Sequence, residues 1–199
     1  MTKNILITGF EPFNNNTVNL SWECVKKIKD SINNYNLVKL LLPVKFGEAA
    51  DITIEKAKKI DADYIICIGE ADNKNCITPE MVAINWRNAK ICDNCGYKPE
   101  GEPIISNGPA AYFSTADITK TSKINNKIDI SYSAGTFVCN DLFYNLLHYF
   151  NNTNVKICFI HVPNLKSQIK HDNLDFSLDE MVKLLTDIIA TIVNDSSNN

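Results

Sequence analysis

The 199-residue sequence lacks several features that mark common functional classes. Neither GxGxxG nor GxxxxGKS/T occurs, so no glycine-rich loop for a phosphate group is indicated, and we expect no cofactor. No uninterrupted apolar run approaches the roughly 18 residues of a membrane-spanning helix. The formal net charge is only −3, which gives no reason to expect nucleic acid or an anionic membrane as a partner.

Features of export are also missing. The stretch MTKNILITGF has neither the long apolar segment nor the small-residue cleavage site of a signal peptide. The cysteines number seven, an odd count spread widely along the chain, which favours reduced thiols over a disulfide framework. We therefore expect a cytoplasmic protein. Cys92 and Cys95 have CxxC spacing, but no second ligand pair follows, so we expect a turn there and no metal site.

Short apolar stretches alternate with helix-periodic stretches, which is typical of a sheet covered on both faces. The pattern predicts strands at 4–10, 37–44, 63–70, 127–135 and 155–163, with a strand or hairpin at 82–91. It predicts helices at 19–32, 47–60, 137–150 and 177–193. We expect one domain over 1–199 with a frayed tail at 194–199, folded as a three-layer α/β/α sandwich with a central mixed, largely parallel sheet.

In such sheets, ligands bind beyond the carboxyl ends of the strands. One of these ends is followed by TFVCN, where Thr136 is a reasonable N-cap and Cys139 would be the third helical residue. The positive end of the helix dipole favours a thiolate there. A lone cysteine on an apolar helix is also an ordinary core residue. We expect Cys24, Cys67 and Cys158 to be core residues of this kind.

The apolar residues that follow in the same predicted helix have a different role. We expect Leu142, Phe143, Leu146 and Leu147 to anchor the helix.

Two further side chains could act with this thiol. His161 ends a buried strand, and Glu80 stands between Pro79 and an apolar run. A buried carboxylate that binds the imidazole would direct the other ring nitrogen toward the thiol. A structural histidine and a surface glutamate are the alternatives. Phe10 and Phe13 follow the first strand and would either wall a small apolar pocket or plug the sheet edge.

Three motifs, ITPEMVAIN, GTFVCN and FIHVP, make the chain resemble the pyroglutamyl-peptidase I (pyrrolidone-carboxylate peptidase) family over nearly its whole length. The resemblance implies a cytosolic cysteine peptidase that removes N-terminal 5-oxoproline from peptides. It also implies a phosphorylase/hydrolase-like fold and, as is common in the family, a homotetramer. It implies Cys139 as nucleophile, His161 as base and Glu80 as the orienting acid.

The resemblance also implies a substrate pocket and an oxyanion site. The oxyanion donors would be the backbone N–H of Cys139 and the side chain of Lys90. The implied pocket comprises Phe10, Phe13, Asn19, Glu70, Phe137 and Val138.

The chain departs from the family pattern at several positions. Asn14 and Asn15 replace a common Gly-Gly pair, and asparagine tolerates positive φ better than most residues. Glu70 replaces glutamine, Met81 replaces a basic residue and Lys90 replaces arginine.

These departures leave an alternative function open. The protein would then be a catalytically weakened relative that binds pyroglutamyl peptides. A nucleoside-phosphorylase-like enzyme, suggested by the fold that the resembled family shares with that class, is more remote, because no phosphate-site pattern occurs.

Overall fold

The central strands are apolar because both of their faces are covered. The structure is a computed structural model that describes residues 3–72, 74–164 and 176–195. The four long strands are β1 (Lys3–Phe10), β3 (Tyr35–Leu42), β4 (Tyr64–Ala71) and β10 (Lys156–Pro163). The short strands are β2 (Ser31–Ile32), β5 (Thr78–Glu80), β6 (Val82–Ile84), β7 (Arg87–Asn88), β8 (Glu100–Glu102) and β9 (Ala111–Phe113).

In the part of the chain that the structure describes, four α-helices cover the sheet. They are α1 (Leu20–Lys27), α2 (Glu48–Ile60), α3 (Val138–Tyr149) and α4 (Leu178–Asp195), and a 3₁₀ turn spans Thr121–Lys123. Helix α4 starts as predicted, because the Ser177 hydroxyl accepts a hydrogen bond from the backbone N–H of Glu180 at 3.1 Å. Within the described residues, no helix combines the length and apolar character that crossing a bilayer requires.

The central sheet has the strand order β2-β3-β1-β4-β10-β5. Strands β3, β1, β4 and β10 run parallel, while β2 and β5 pair antiparallel at the two edges. Alternate residues of β1 face opposite layers: Ile5 and Ile7 pack in the core beneath α1 and α4, and Leu6 packs in the core beneath α2 and α3. The predicted fold class is therefore confirmed.

The edge strand β5 carries Glu80 into the sheet. The antiparallel register with β10 sets Thr78 opposite His161 and Glu80 opposite Phe159. Residues on the same face of neighbouring strands also contact their diagonal neighbours. Glu80 therefore lies within reach of the imidazole, although the two residues are 81 positions apart.

Some predicted elements differ from the structure. The predicted helix at 19–32 ends at Lys27, because Ile28 has extended ψ and Ser31–Ile32 pairs with β3. The predicted strand at 127–135 is only two isolated bridges, at Ile128 and Ser131. The stretch at 82–91 is not a hairpin, since β6 pairs with β9 and β7 with β8.

The chain end differs in part as well. Helix α4 continues to Asp195, so the first two residues of the predicted frayed tail are helical. The last four residues of that tail lie outside the described residues.

A glycine allows α1 to pack closely on β1. A Cβ at Gly9 would lie 2.9 Å from the backbone N and Cα of Trp22. We expect Gly9→Ala to lower the free energy of unfolding by about 1–3 kcal/mol, the usual cost of overpacking, measured by urea denaturation. The control is Gly96→Ala, where φ is +87° and no atom lies within 4 Å of the new Cβ, so that only backbone strain of about 1 kcal/mol remains. A larger loss in Gly96→Ala than in Gly9→Ala would contradict close packing at Gly9.

Candidate active site

Cys139 lies at the start of α3, one residue nearer to the N-terminus of the helix than predicted. The N-cap is Phe137, with φ −95° and ψ −165°, and Cys139 is thus the second helical residue. Thr136 is not the cap, because its hydroxyl donates to the carbonyl of Asn88 at 2.7 Å instead. The first backbone N–H groups of an α-helix have no intrahelical acceptor, so this end of α3 can bind a negative oxygen.

Two polar residues after Cys139 hold the first turn of α3 in place. The Asn140 side chain accepts from the N–H of Ile84 at 3.0 Å and donates to the Ile84 carbonyl at 2.9 Å. Asp141, almost fully buried, accepts from Arg87 Nε at 2.5 Å and from the N–H of Gly47 at 2.8 Å. Sequence reasoning missed this clamp, although an Asn-Asp pair in an apolar helix was a signal for it.

Apolar packing holds the rest of the helix. The predicted anchors are confirmed as buried core residues, namely Leu142, Phe143, Leu146 and Leu147. The predicted core cysteines are likewise buried, namely Cys24, Cys67 and Cys158. Cys139 differs from these three cysteines, because the residue as a whole keeps partial solvent contact.

His161 and Glu80 form a buried hydrogen-bonded pair. The distance from His161 Nδ1 to Glu80 Oε1 is 2.8 Å, and both side chains are nearly inaccessible to solvent. Burial alone would raise the pKa of the Glu80 carboxyl, but the hydrogen bond and charge of His161, with smaller contributions from Ser131 and Lys74, hold it below its ordinary value. A carboxylate can only accept, so Nδ1 carries the proton and Nε2 is the nitrogen available as a base.

Gly69 allows the thiol to approach this pair. In the parallel register of β4 and β10, Gly69 lies opposite His161. A Cβ at Gly69 would lie 3.0 Å from Cys139 Sγ and 2.7 Å from the ring of Phe159. Any larger residue would therefore displace the sulfur from the strand end where the imidazole lies.

The environment of Cys139 does not favour a resting thiolate, contrary to the expectation from the helix start. Burial of the sulfur, followed by the negative charge of Glu80, raises the pKa of the Cys139 thiol to about 12. The backbone N–H of Cys139 itself acts in the opposite direction but is outweighed. The helix end thus contributes less than desolvation, and the resting group is a thiol.

Two cavities meet at Cys139. The cavity on one side, here called the apolar cavity, is lined by Phe10, Phe13, Asn19, Val44, Glu70, Phe137, Val138 and Cys139. The cavity on the other side, here called the polar cavity, has a volume of about 320 Å³. The polar cavity is lined by Glu70, Ala71, Lys74, Ser133, Ala134, Gly135, Thr136, Phe137, Cys139 and His161. All six predicted pocket residues therefore lie in one cavity beside the thiol.

Aromatic rings form the wall of the apolar cavity. The Phe137 ring lies 6.1 Å from the ring of Phe13 and 5.2 Å from that of Phe46, centroid to centroid. The loop that carries Phe13 turns through Asn14 and Asn15, whose φ angles are 51° and 61°. Both asparagines therefore adopt the left-handed conformation that glycine favours, and the loop makes its turn without glycine.

Asn19 and Glu70 cap α1 at the edge of the apolar cavity. Asn19 Oδ1 accepts from the N–H of Ser21 at 3.1 Å, and Glu70 Oε2 accepts from the N–H of Leu20 at 2.6 Å. The negative charge that Glu70 brings to the cavity is thus placed against the positive end of a helix, which stabilises it. The capping role of both residues was not predicted from the sequence.

Two lysines are placed differently from what the sequence suggested. Lys90, the predicted oxyanion donor, is exposed and lines neither cavity. Lys74 lines the polar cavity instead, and its Nζ lies 3.5 Å from Glu80 Oε1. Cys92 and Cys95 lie in a turn closed by Asp93, which accepts from the N–H of Cys95 at 3.0 Å, so the predicted turn is confirmed.

A thiol at a helix start, placed beside an imidazole–carboxylate pair on an α/β sandwich, is typical of the class of peptidases that use cysteine. The family model described as "Pyroglutamyl peptidase" matches residues 3–195. The chain belongs to the pyroglutamyl peptidase family.

Similar proteins span nearly the whole chain. Pyrrolidone-carboxylate peptidase 1 of Caldanaerobacter subterraneus subsp. tengcongensis is 40% identical, covering 95% of this chain and 97% of its own. Pyrrolidone-carboxylate peptidase of Brachyspira hyodysenteriae is 41% identical, covering 94% and 96%. The crystal structure of Bacillus amyloliquefaciens pyroglutamyl peptidase I superposes with a TM-score of 0.89 at 37% identity, covering 96% and 97%.

The raised pKa of the Cys139 thiol predicts how its reactivity depends on pH. Because a thiol pKa of about 12 leaves little thiolate near neutrality, we expect the rate of iodoacetamide alkylation to increase by about tenfold per pH unit between pH 7 and 9. Peptide mass spectrometry measures alkylation at Cys139 separately from the other cysteines. A rate that stays constant from pH 6 to 8 would show a preformed thiolate instead.

Proposed function

We propose that this protein hydrolyses the peptide bond that follows an N-terminal pyroglutamyl residue. The observation that carries the proposal is the position of Cys139 between the apolar cavity and the polar cavity, beside the His161–Glu80 pair. A substrate that spans both cavities would place its scissile carbonyl at the sulfur. Membership in the pyroglutamyl peptidase family supports the substrate class.

The apolar cavity suits a small uncharged lactam ring. Phe13 and Phe137 would contact the faces of the ring, and the Glu70 carboxylate could accept a hydrogen bond from the lactam N–H. The Asn19 amide is occupied as the cap of α1 and by a 3.0 Å hydrogen bond to the carbonyl of Glu11. Its contribution is therefore to hold the wall of the cavity.

Acylation needs a base, because the resting group is a thiol. His161 Nε2 would take the thiol proton as Sγ bonds to the carbonyl carbon, while Glu80 holds Nδ1 and stabilises the imidazolium. The backbone N–H of Cys139 would donate to the oxyanion of the tetrahedral intermediate.

Collapse of the intermediate would complete the first half of the reaction. The C–N bond breaks, the leaving amine takes the proton from His161 and departs through the polar cavity, and a thioester remains on Cys139. His161 then takes a proton from water as the water oxygen attacks the thioester. Free pyroglutamate leaves, and the proton returns to the thiolate.

We also propose that the protein acts in the cytoplasm and as a homotetramer. Among the described residues, which include all seven cysteines, no thiol forms a disulfide, which supports a reducing compartment. The exposed apolar side chains of Ile84 and Phe113, which are diagonal neighbours on the β6–β9 ribbon, and of Trp86 just after β6 support self-association.

Release of aminomethylcoumarin from a pyroglutamyl-aminomethylcoumarin substrate tests the activity. We expect Cys139→Ser and His161→Ala to lower kcat/KM by about 10³-fold or more, and Glu80→Gln by about 10²-fold or more, because each breaks the proton-transfer chain. The control is Cys92→Ser, which removes an exposed thiol outside both cavities and should retain wild-type turnover. Binding of pyroglutamyl peptide by the wild type without any turnover would favour the weakened relative instead.

Light scattering during size-exclusion chromatography tests the assembly. We expect a mass of about four times the 22.4 kDa of the chain. Phe113→Lys places a charge at the most exposed apolar position of the ribbon and should reduce that mass. A wild-type mass of a single chain would contradict the tetramer.

A further inference from the structure

Lys74 contacts the carboxylate that orients the imidazole. Its ammonium lies 3.5 Å from Glu80 Oε1 and donates to the Ser131 hydroxyl at 2.7 Å. The Lys74 side chain is 21% exposed, whereas that of Glu80 is fully buried. The ion pair therefore connects the lining of the polar cavity, at Lys74, with the buried edge of the sheet, at Glu80.

Ser131 is held firmly beside Glu80, so that it can fix the lysine. Its N–H donates to the carbonyl of Pro79 at 2.9 Å, and its carbonyl accepts from the N–H of Met81 at 2.7 Å. These bonds join Ser131 to the residues on both sides of Glu80, which is the pattern of a parallel β-bridge between Ser131 and Glu80. The ammonium of Lys74 is thus directed at Oε1, the same oxygen that binds the imidazole.

A buried carboxylate requires such neighbours to stay charged. The groups that face Glu80 come from four parts of the fold: Thr78 and Lys74 before it, Ser131 on the adjacent loop, His161 on β10 and Cys139 on α3. Among these groups, Lys74 is the ion-pair partner that takes no part in the proposed proton transfer. Without it, the charge of Glu80 would depend on the imidazole itself, which changes its protonation state during each turnover.

We propose that Lys74 is a positioning residue, which keeps Glu80 ionised and aimed at His161 throughout the reaction. This inference rests on the proposed peptidase function. The lysine acts through Glu80 and not on the scissile bond. Its loss should therefore affect the protonation of the His161–Glu80 pair more than the binding of the lactam ring.

The test compares Lys74→Met and Lys74→Arg in kcat, KM and the pH dependence of kcat/KM. We expect Lys74→Met to lower kcat by roughly tenfold or more, the factor typical of a lost hydrogen bond to a charged group, with little change in KM. Removing a positive charge makes protonation of the neighbouring pair easier. The acid limb of the kcat/KM profile, where activity falls as the pH is lowered, should therefore move to higher pH. We expect a shift of at least about half a pH unit after allowance for solvent screening. Lys74→Arg keeps the charge and should restore kcat and the acid limb.

Lys127→Met is the matched control. Lys127 pairs with Glu180 at 2.8 Å and is 20% exposed, but it lines neither cavity. Thermal unfolding of each variant shows whether the fold is retained. The inference is overturned if Lys74→Met keeps the wild-type kcat and acid limb, or if Lys74→Arg is as impaired as Lys74→Met in a folded protein. An inactive wild type would instead contradict the proposed function.

Discussion

The hydrogen bond between His161 and Glu80 is the constraint on which the site depends. Both side chains are buried at the edge of the sheet, where an unpaired carboxylate would cost several kcal/mol in desolvation. The antiparallel register of β5 with β10 brings the two together, and a parallel bridge joins Ser131 to Glu80. The edge strand β5 is only three residues long, yet it determines which nitrogen of the imidazole can act as a base.

The thiol depends on a second constraint, the absence of a side chain at Gly69. The sulfur packs against the backbone of β4, and this burial raises its pKa. A thiol in this environment stays protonated until a neighbouring base takes its proton. The clamp made by Asn140 and Asp141 supports the same geometry, since it holds the first turn of α3 against β6 and α2.

The apolar cavity is built from residues that also hold the fold. Asn19 and Glu70 cap α1, while Phe137 caps α3 and contacts the ring of Phe46. A change in one of these residues therefore alters both the wall of the cavity and the start of a helix. Glu70 shows how a charged residue is accommodated beside aromatic rings, because the helix end at Leu20 receives its carboxylate.

The order of strands and helices, the buried character of the strands and the set of candidate residues could be read from the sequence, because periodicity and short motifs are local. The motifs identified Cys139, His161 and Glu80 as candidates, but they gave no distances between these side chains. Only the tertiary structure decided that Lys74 and not Lys90 lies at the site, that Thr136 is not the helix cap, and that the thiol is held protonated. These outcomes depend on strand register and on desolvation, which arise from contacts between residues far apart in the chain.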